Sequence, residues 1–329
     1  MDDVDDLGGG EIDPEIARFV AAVQVGYAAH PDLAARSPAE RRAVAERVRE
    51  PWRKGGPAMA RRADLIAPTA ARAVPVRLLA AEQAATPRPA MIYLHGGGFT
   101  TFSLDTHDRV MREYAARTGA IVIGVDYSLS PEAKFPVALN ETVGVVDWLG
   151  AESASLGVDP GRIAIGGDSA GANLALASAI VLRDRGRAGP LAAMVLNYGF
   201  FDADLTTTSQ RRHGGTDKML SSEELAGYIE GYLGGTPHGD NPLALPLLAD
   251  LDRLPPSFHV IAECDPLRDA DLALVRRMTA AGDRVESRLY RGATHSFLEA
   301  VSISAIAERA FAETSAWLRA RLAEPASGG

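Results

Sequence analysis

The spacing of hydrophobic positions changes character near residue 57. From Pro14 to about His30, the apolar residues Ile16, Phe19, Val20, Val23 and Tyr27 recur at intervals of three and four, which marks one face of a helix. A second helix is predicted to start after Ser37. Ser37 supplies an N-cap, Pro38 suits the first helical position and Glu40 completes a capping box. The run Lys54-Gly55-Gly56-Pro57 then interrupts the pattern. Beyond it, short apolar runs at 74–79, 91–94, 120–125, 163–165, 194–197, 258–262 and 285–290 read as strands. Helical patterns at 136–150, 170–185, 269–281 and 303–322 lie between or after them. Such alternation predicts an α/β fold with a mostly parallel central sheet flanked by helices on both faces. The stretch at about 203–255 breaks it. This segment is rich in Gly, Pro, Thr and Asp, holds a helix near 223–233, and reads as an insertion over the sheet. The expected organisation is an N-terminal tail and helical segment over 1–55, of which 1–13 is an acidic tail expected to be mobile. An α/β domain over 56–329 carries the insertion.

Composition narrows the setting. Of 329 residues, 47% are apolar and 23% charged, enough for one large core. A net charge of -9 with no basic stripe argues against nucleic acid as a partner. The opening Met1-Asp2-Asp3-Val4-Asp5-Asp6 lacks the positive start of a secretory signal. Every apolar stretch is broken well short of the ~18 residues that span a bilayer. Cys264 is the single cysteine, so no internal disulfide can form. These features lead us to expect a cytoplasmic protein with no membrane partner.

The chemistry concentrates at strand ends. Gly167-Asp168-Ser169-Ala170-Gly171 comes after the run at 163–165 and precedes a helix, the context of a nucleophile elbow. The glycines let strand and helix cross closely, and the helix's positive end faces the serine hydroxyl. The competing reading is a glycine-rich turn that happens to carry a serine. His95-Gly96-Gly97-Gly98-Phe99 comes directly after the run at 91–94. A glycine run exposes main-chain N–H groups to a developing oxyanion, and His95 serves to shape that loop. Neither phosphate-cradling glycine pattern can be written through it. In such folds the base comes after the nucleophile and the acid lies between them. Of the histidines after Ser169, His259 lies within a strand and reads as a core residue, and His213 and His238 lie in the insertion and are expected to face solvent. His295 is reached from a strand through the loop Arg291-Gly292-Ala293-Thr294, where ligands meet an open α/β sheet. Asp265 stands just after the run at 258–262 and is the preferred acid. Asp269, at a helix start, is the reserve, and Asp283 reads as turn chemistry. Ser169, Asp265 and His295 therefore form the expected catalytic triad.

The chain resembles the bacterial hormone-sensitive-lipase-like esterases of the GDSAG type, and among them the acetyl esterases. The resemblance rests on the glycine loop at 95–99; the run Asp126-Tyr127-Ser128-Leu129-Ser130-Pro131-Glu132-Ala133-Lys134-Phe135-Pro136; the elbow at 167–171; Asp265-Pro266-Leu267-Arg268-Asp269; and the segment from Gly292 to Phe297. These are collinear over roughly 74–322. The resemblance implies an α/β-hydrolase fold with a helical cap made by the N-terminal segment and the insertion. It implies Ser169, Asp265 and His295 as catalytic residues, Gly97, Gly98 and Ala170 as oxyanion donors, and Gly96 as support for that loop. It implies a small-molecule ester as substrate, with short acyl groups from acetyl to butanoyl, and it leaves a homodimer open. No cofactor and no metal are expected, and no H-E-x-x-H occurs. Many relatives carry glycine where this chain has Ala172 and Ser296, which bears on pocket shape rather than on the reaction. Two rivals remain: an amide deacetylase using the same residues, and a non-catalytic ligand-binding protein on the same scaffold.

Overall fold

In the computed structural model, residues 10–83, 87–186, 191–234 and 240–323 are described. Two helices come first, α1 (Pro14–Ala28) and α2 (Pro38–Arg53). After them come β1 (Arg61–Pro68), β2 (Ala73–Ala80), β3 (Arg88–Leu94), α3 (Asp108–Thr118), β4 (Ile121–Val125), α4 (Val137–Ala151), α5 (Ser153–Leu156) and β5 (Val158–Asp168). The second half holds α6 (Ala170–Asp184), β6 (Leu191–Asn197), α7 (Thr208–His213), α8 (Ser222–Leu233), β7 (Ser257–Cys264), α9 (Arg268–Ala280), β8 (Val285–Thr294) and α10 (Ala305–Ala323). The eight strands form one sheet in the order β1-β2-β4-β3-β5-β6-β7-β8. The pairs β1/β2 and β2/β4 are antiparallel and all others parallel. This is the α/β-hydrolase fold.

The inner strands β3, β4 and β6 read as largely apolar runs because both faces of the sheet are covered there. In β3, Ala90, Ile92 and Leu94 enter one core with α4, α6 and α9. Met91 and Tyr93 enter the other, with α1, α2, α3 and α10. The capping box expected at Ser37 is present, with Glu40 N–H donating to the Ser37 hydroxyl. The insertion contributes α7 and α8, the latter opened by a second capping box at Ser221.

Besides the short helices α5 and α7, the strand β1 and the helix α3 escape a reading of hydrophobic pattern. β1 is an edge strand, and Arg61, Arg62 and Asp64 place charge along it, a device that blunts sheet edges and hides the strand's pattern. α3 buries Val110, Met111, Tyr114 and Ala115. It also buries Asp108 and Glu113, each paired with an arginine four residues on, Arg112 and Arg117, so charges interrupt its apolar face. Two further corrections apply. β8 runs on to Thr294, so the stretch 291–294 belongs to the strand and His295 comes directly after its last residue. Residues 10–13, expected to belong to the tail, are anchored: Asp13 N–H donates to Gly292 O at 3.0 Å and the Cys264 thiol donates to Gly10 O at 3.2 Å. Residues 1–9 of that tail lie outside the described residues.

Candidate active site

β5 ends at Asp168 and α6 begins at Ala170, so Ser169 alone makes the turn. It does so at φ 54° and ψ -118°, a left-handed conformation that costs a non-glycine residue of order 1–3 kcal/mol. Neighbouring structure holds it: Ser169 N–H donates to Asn197 O at 2.9 Å, and Phe200 N–H donates to Ser169 O at 3.2 Å. The turn is possible because α6 crosses the end of β3 almost in contact. A Cβ on Gly171 would stand 1.9 Å from the carbonyl oxygen of Leu94. Backbone cannot yield that much, so Gly171→Ala is expected to destabilise the protein by about 3 kcal/mol or more, as overpacking against rigid atoms does. Urea unfolding monitored by tryptophan fluorescence measures it, and an unchanged midpoint would contradict the crossing described.

The three residues expected to act together do meet. Ser169 Oγ lies 3.0 Å from His295 Nε2, and His295 Nδ1 lies 2.8 Å from Asp265 Oδ2. Asp265 is fully buried, and its other oxygen accepts from Leu267 N–H at 2.9 Å. Their loops come after β5, β7 and β8, all at carboxyl strand ends. The Tyr198 ring stands edge-on to the His295 imidazole at 5.2 Å. Ser296 adopts φ 60°, a conformation that glycine takes without strain, and it lines a cavity together with Ser169 and His295.

The reserve candidates have other duties. Asp269 accepts from Ser209 N–H and pairs with Arg268, which ties α9 to the insertion. Asp283 accepts from Leu254 N–H, in keeping with turn chemistry. His259 is fully buried in β7 beside the Ser257 hydroxyl, 3.0 Å away, and burial pushes its pKa down to about 3. His213, expected to face solvent, is instead buried at the end of α7, because the insertion folds onto the sheet. His238 lies outside the described residues.

The glycine loop sits beside the serine. His95 donates through Nδ1 to Gly96 O at 2.7 Å, and its ring stacks on Tyr127 at 4.4 Å. Burial, reinforced by nearby His107, lowers the His95 pKa to about 3, so this imidazole is neutral and shapes the loop. Gly97 and Gly98 both have positive φ, 106° and 58°. A Cβ on Gly98 would collide with the Tyr228 ring of α8, which packs on the loop. Ala170 is the first residue of α6, so its N–H has no helical acceptor and borders the serine.

A second buried cluster lies behind this loop, and no sequence motif announces it. Asp168 accepts from Tyr93 OH at 2.7 Å and faces His107 Nε2 at 3.2 Å. Burial alone would raise the Asp168 pKa, but His107 and the Tyr93 hydrogen bond leave it below the ordinary range. Burial likewise disfavours charged His107, yet Asp168 lifts its pKa above the ordinary value. The two form an ion pair between the elbow and the segment after the glycine loop. Nothing in the spacing of His107 marks it, because its partner is chosen by strand order.

Ser169, His295, Gly97 and Gly98 line a cavity of about 60 Å³. From the N-terminal segment and the region before the insertion, Tyr27 and Phe200 line it. Phe19 packs on Trp52, and Tyr232 stacks on Phe99 at 3.6 Å. The remaining walls come from Phe99, Arg49, Phe102, Met219, Leu220, Glu224, Leu225 and Tyr228, none of which the hydrophobic pattern singles out.

Fold and site together define an α/β hydrolase built around a serine, a histidine and an aspartate. A family model described as alpha/beta hydrolase fold matches residues 91–299. An acetyl esterase of Salmonella choleraesuis is 38% identical over 276 residues, covering 83% of this chain and 84% of that protein. A hyperthermophilic esterase from the archaeon Pyrobaculum calidifontis superposes with a TM-score of 0.87 at 29% identity, over 94% of this chain and 98% of its own. A thermostable carboxylesterase cloned from a metagenomic library gives 0.84 at 32% identity, over 88% of this chain and 99% of its own. The chain belongs to this family, the hormone-sensitive-lipase-like α/β hydrolases of carboxylesterase type. Among the described residues no helix is long and apolar enough to cross a membrane.

Proposed function

We propose that the protein hydrolyses carboxylic esters with short acyl groups, acetyl to butanoyl, through an acyl-enzyme on Ser169. The observation that carries this reading is the continuous hydrogen-bond path from Ser169 Oγ through His295 to Asp265. His295 Nε2 takes the hydroxyl proton as Ser169 Oγ attacks the ester carbonyl carbon. The carbonyl oxygen becomes an oxyanion and is met by the N–H groups of Gly97, Gly98 and Ala170. His295 then returns the proton to the leaving alkoxide, and the C–O bond breaks. Water, deprotonated by His295, releases the carboxylic acid and restores Ser169. Asp265 keeps the Nδ1 proton in place and stabilises the imidazolium.

The small cavity supports the short-acyl part of the reading. Each methylene that fits gains about 0.8 kcal/mol, and each that does not must displace packed side chains. The kcat/KM for p-nitrophenyl esters from acetate to palmitate should peak at about two to four acyl carbons and fall steeply by about eight, on that packing argument. A maximum among the long chains would overturn the acyl assignment. Equal turnover of a matched acetanilide would replace ester by amide hydrolysis.

A further inference from the structure

Helix α2 sends one charged side chain into the interior. Arg49 is only 4% exposed and lines the cavity that holds Ser169 and His295. Its Nε lies 2.9 Å from Oε2 of Glu299, which is also buried. Glu299 belongs to the 3-10 turn Phe297–Ser302, which starts two residues after His295. The Arg49 guanidinium carbon also lies 4.9 Å from the centre of the Phe102 ring and 5.8 Å from that of Tyr27 in α1. Phe102 backs the glycine loop: a Cβ on Gly97 would stand 2.9 Å from its ring. Phe102 itself has φ 70°, a conformation that needs tertiary support. One cation from the N-terminal helices therefore touches the turn after the histidine and the ring behind the glycine loop.

The energetics of this pair do not favour a role in stability. Arg49 Nε and Nη1 and both Glu299 oxygens lack an aligned hydrogen bond among the described residues. A buried ion pair repays its desolvation only when hydrogen bonds complete it, and apolar residues of similar volume usually serve stability as well or better. Burial accordingly holds the Glu299 carboxyl above its ordinary range, with Arg49 opposing. What the pair does supply is direction, because the planar guanidinium meets a carboxylate on one edge and aromatic faces above it.

We propose that Arg49 is a positioning residue that couples docking of the N-terminal helices to the alignment of His295 and the glycine loop, acting through Glu299 and Phe102. This rests on reading Ser169, His295 and Asp265 as the catalytic site. The N-terminal helices then contribute to kcat as well as to the shape of the pocket.

The test uses the full chain with p-nitrophenyl acetate, and it reads kcat, KM and melting temperature for R49K, R49M and R49M/E299M. Removing Arg49 alone strands a buried carboxylate, so R49M can fail through folding. The double variant replaces the pair by apolar side chains and removes that difficulty. R49M/E299M is expected to melt close to the parent, with kcat lowered about 100-fold, as misplacement by an ångström does, and KM changed less than about threefold. R49K keeps the charge but loses the plane against Phe102, and its kcat should fall about tenfold on the same positioning argument. A double variant that regains both melting temperature and kcat would show that the pair only fills space. R49K with parental kcat would equally overturn the proposal. A parent protein inactive on acetate esters would overturn the reading of the site itself, whereas an active parent with unaffected variants removes only the role of Arg49.

Discussion

Ser169→Ala is expected to lower kcat on p-nitrophenyl acetate by about 10⁴-fold or more while the protein stays folded. The serine hydroxyl is the group that His295 Nε2 addresses, at 3.0 Å, and among the described residues no other hydroxyl pairs with that nitrogen. Its conformation at φ 54° is imposed by main-chain bonds to Asn197 and Phe200, none of which uses the side chain. Alanine can therefore take the same turn and keep the same neighbours, and only the nucleophile is lost. Circular dichroism and a thermal melt establish the fold, and stopped or continuous phenolate release gives the rate. A folded variant turning over within tenfold of the parent would end the assignment of Ser169.

Asp265→Asn should cost about 10⁴-fold in kcat, with KM little changed. The structure explains why so small a change has so large an effect. Asp265 Oδ1 accepts from Leu267 N–H, and Oδ2 faces His295 Nδ1. An amide in this place must keep its oxygen toward the Leu267 donor, which turns its NH₂ toward the imidazole. Nδ1 then has to accept, so the ring proton moves to Nε2 and points at Ser169. That tautomer cannot remove the serine proton. Stability should hardly change, because both hydrogen bonds survive with one reversed. Steady-state kinetics beside urea unfolding separates the two effects, and a variant with near-parental kcat would mean that another group holds His295. Asp269, the reserve acid, is committed to Ser209 and Arg268 and should tolerate Asn with much smaller loss.

Several parts of this architecture are legible from residues alone. The runs around Ile92 and Ile165 are apolar, and that around Val260 is interrupted only by His259, because both sheet faces are covered, so they announce parallel strands. Gly167 and Gly171 flank Ser169 because backbone and helix cross there with no room for a Cβ. Asp265 and His295 stand where strand runs end, and that position alone separates them from His259, inside a strand. The edge strand β1 and helix α3 are hidden by their charges, whose partners lie on neighbouring elements or one helical turn away. His213 is misplaced by composition, because the insertion resembles an exposed loop, yet its apolar residues Leu220, Leu225 and Tyr232 bury it against the sheet.

Consecutive residues thus carry the fold class, the succession of strands that bear chemistry, and the identity of the serine, acid and histidine candidates. Each of these depends on local period, on glycine spacing or on the residue types at a strand's carboxyl end, and such signals need no distant partner to be read. The walls of the cavity, the ion pair of Asp168 with His107 and that of Arg49 with Glu299 are set by packing in three dimensions. In each case the partners lie far apart in the chain and meet because strand order and helix docking bring them together. A charged residue carries the same local signal whether it ends in solvent or against a buried partner. The two outcomes are separated by desolvation and pairing, which arise only once the whole chain is packed.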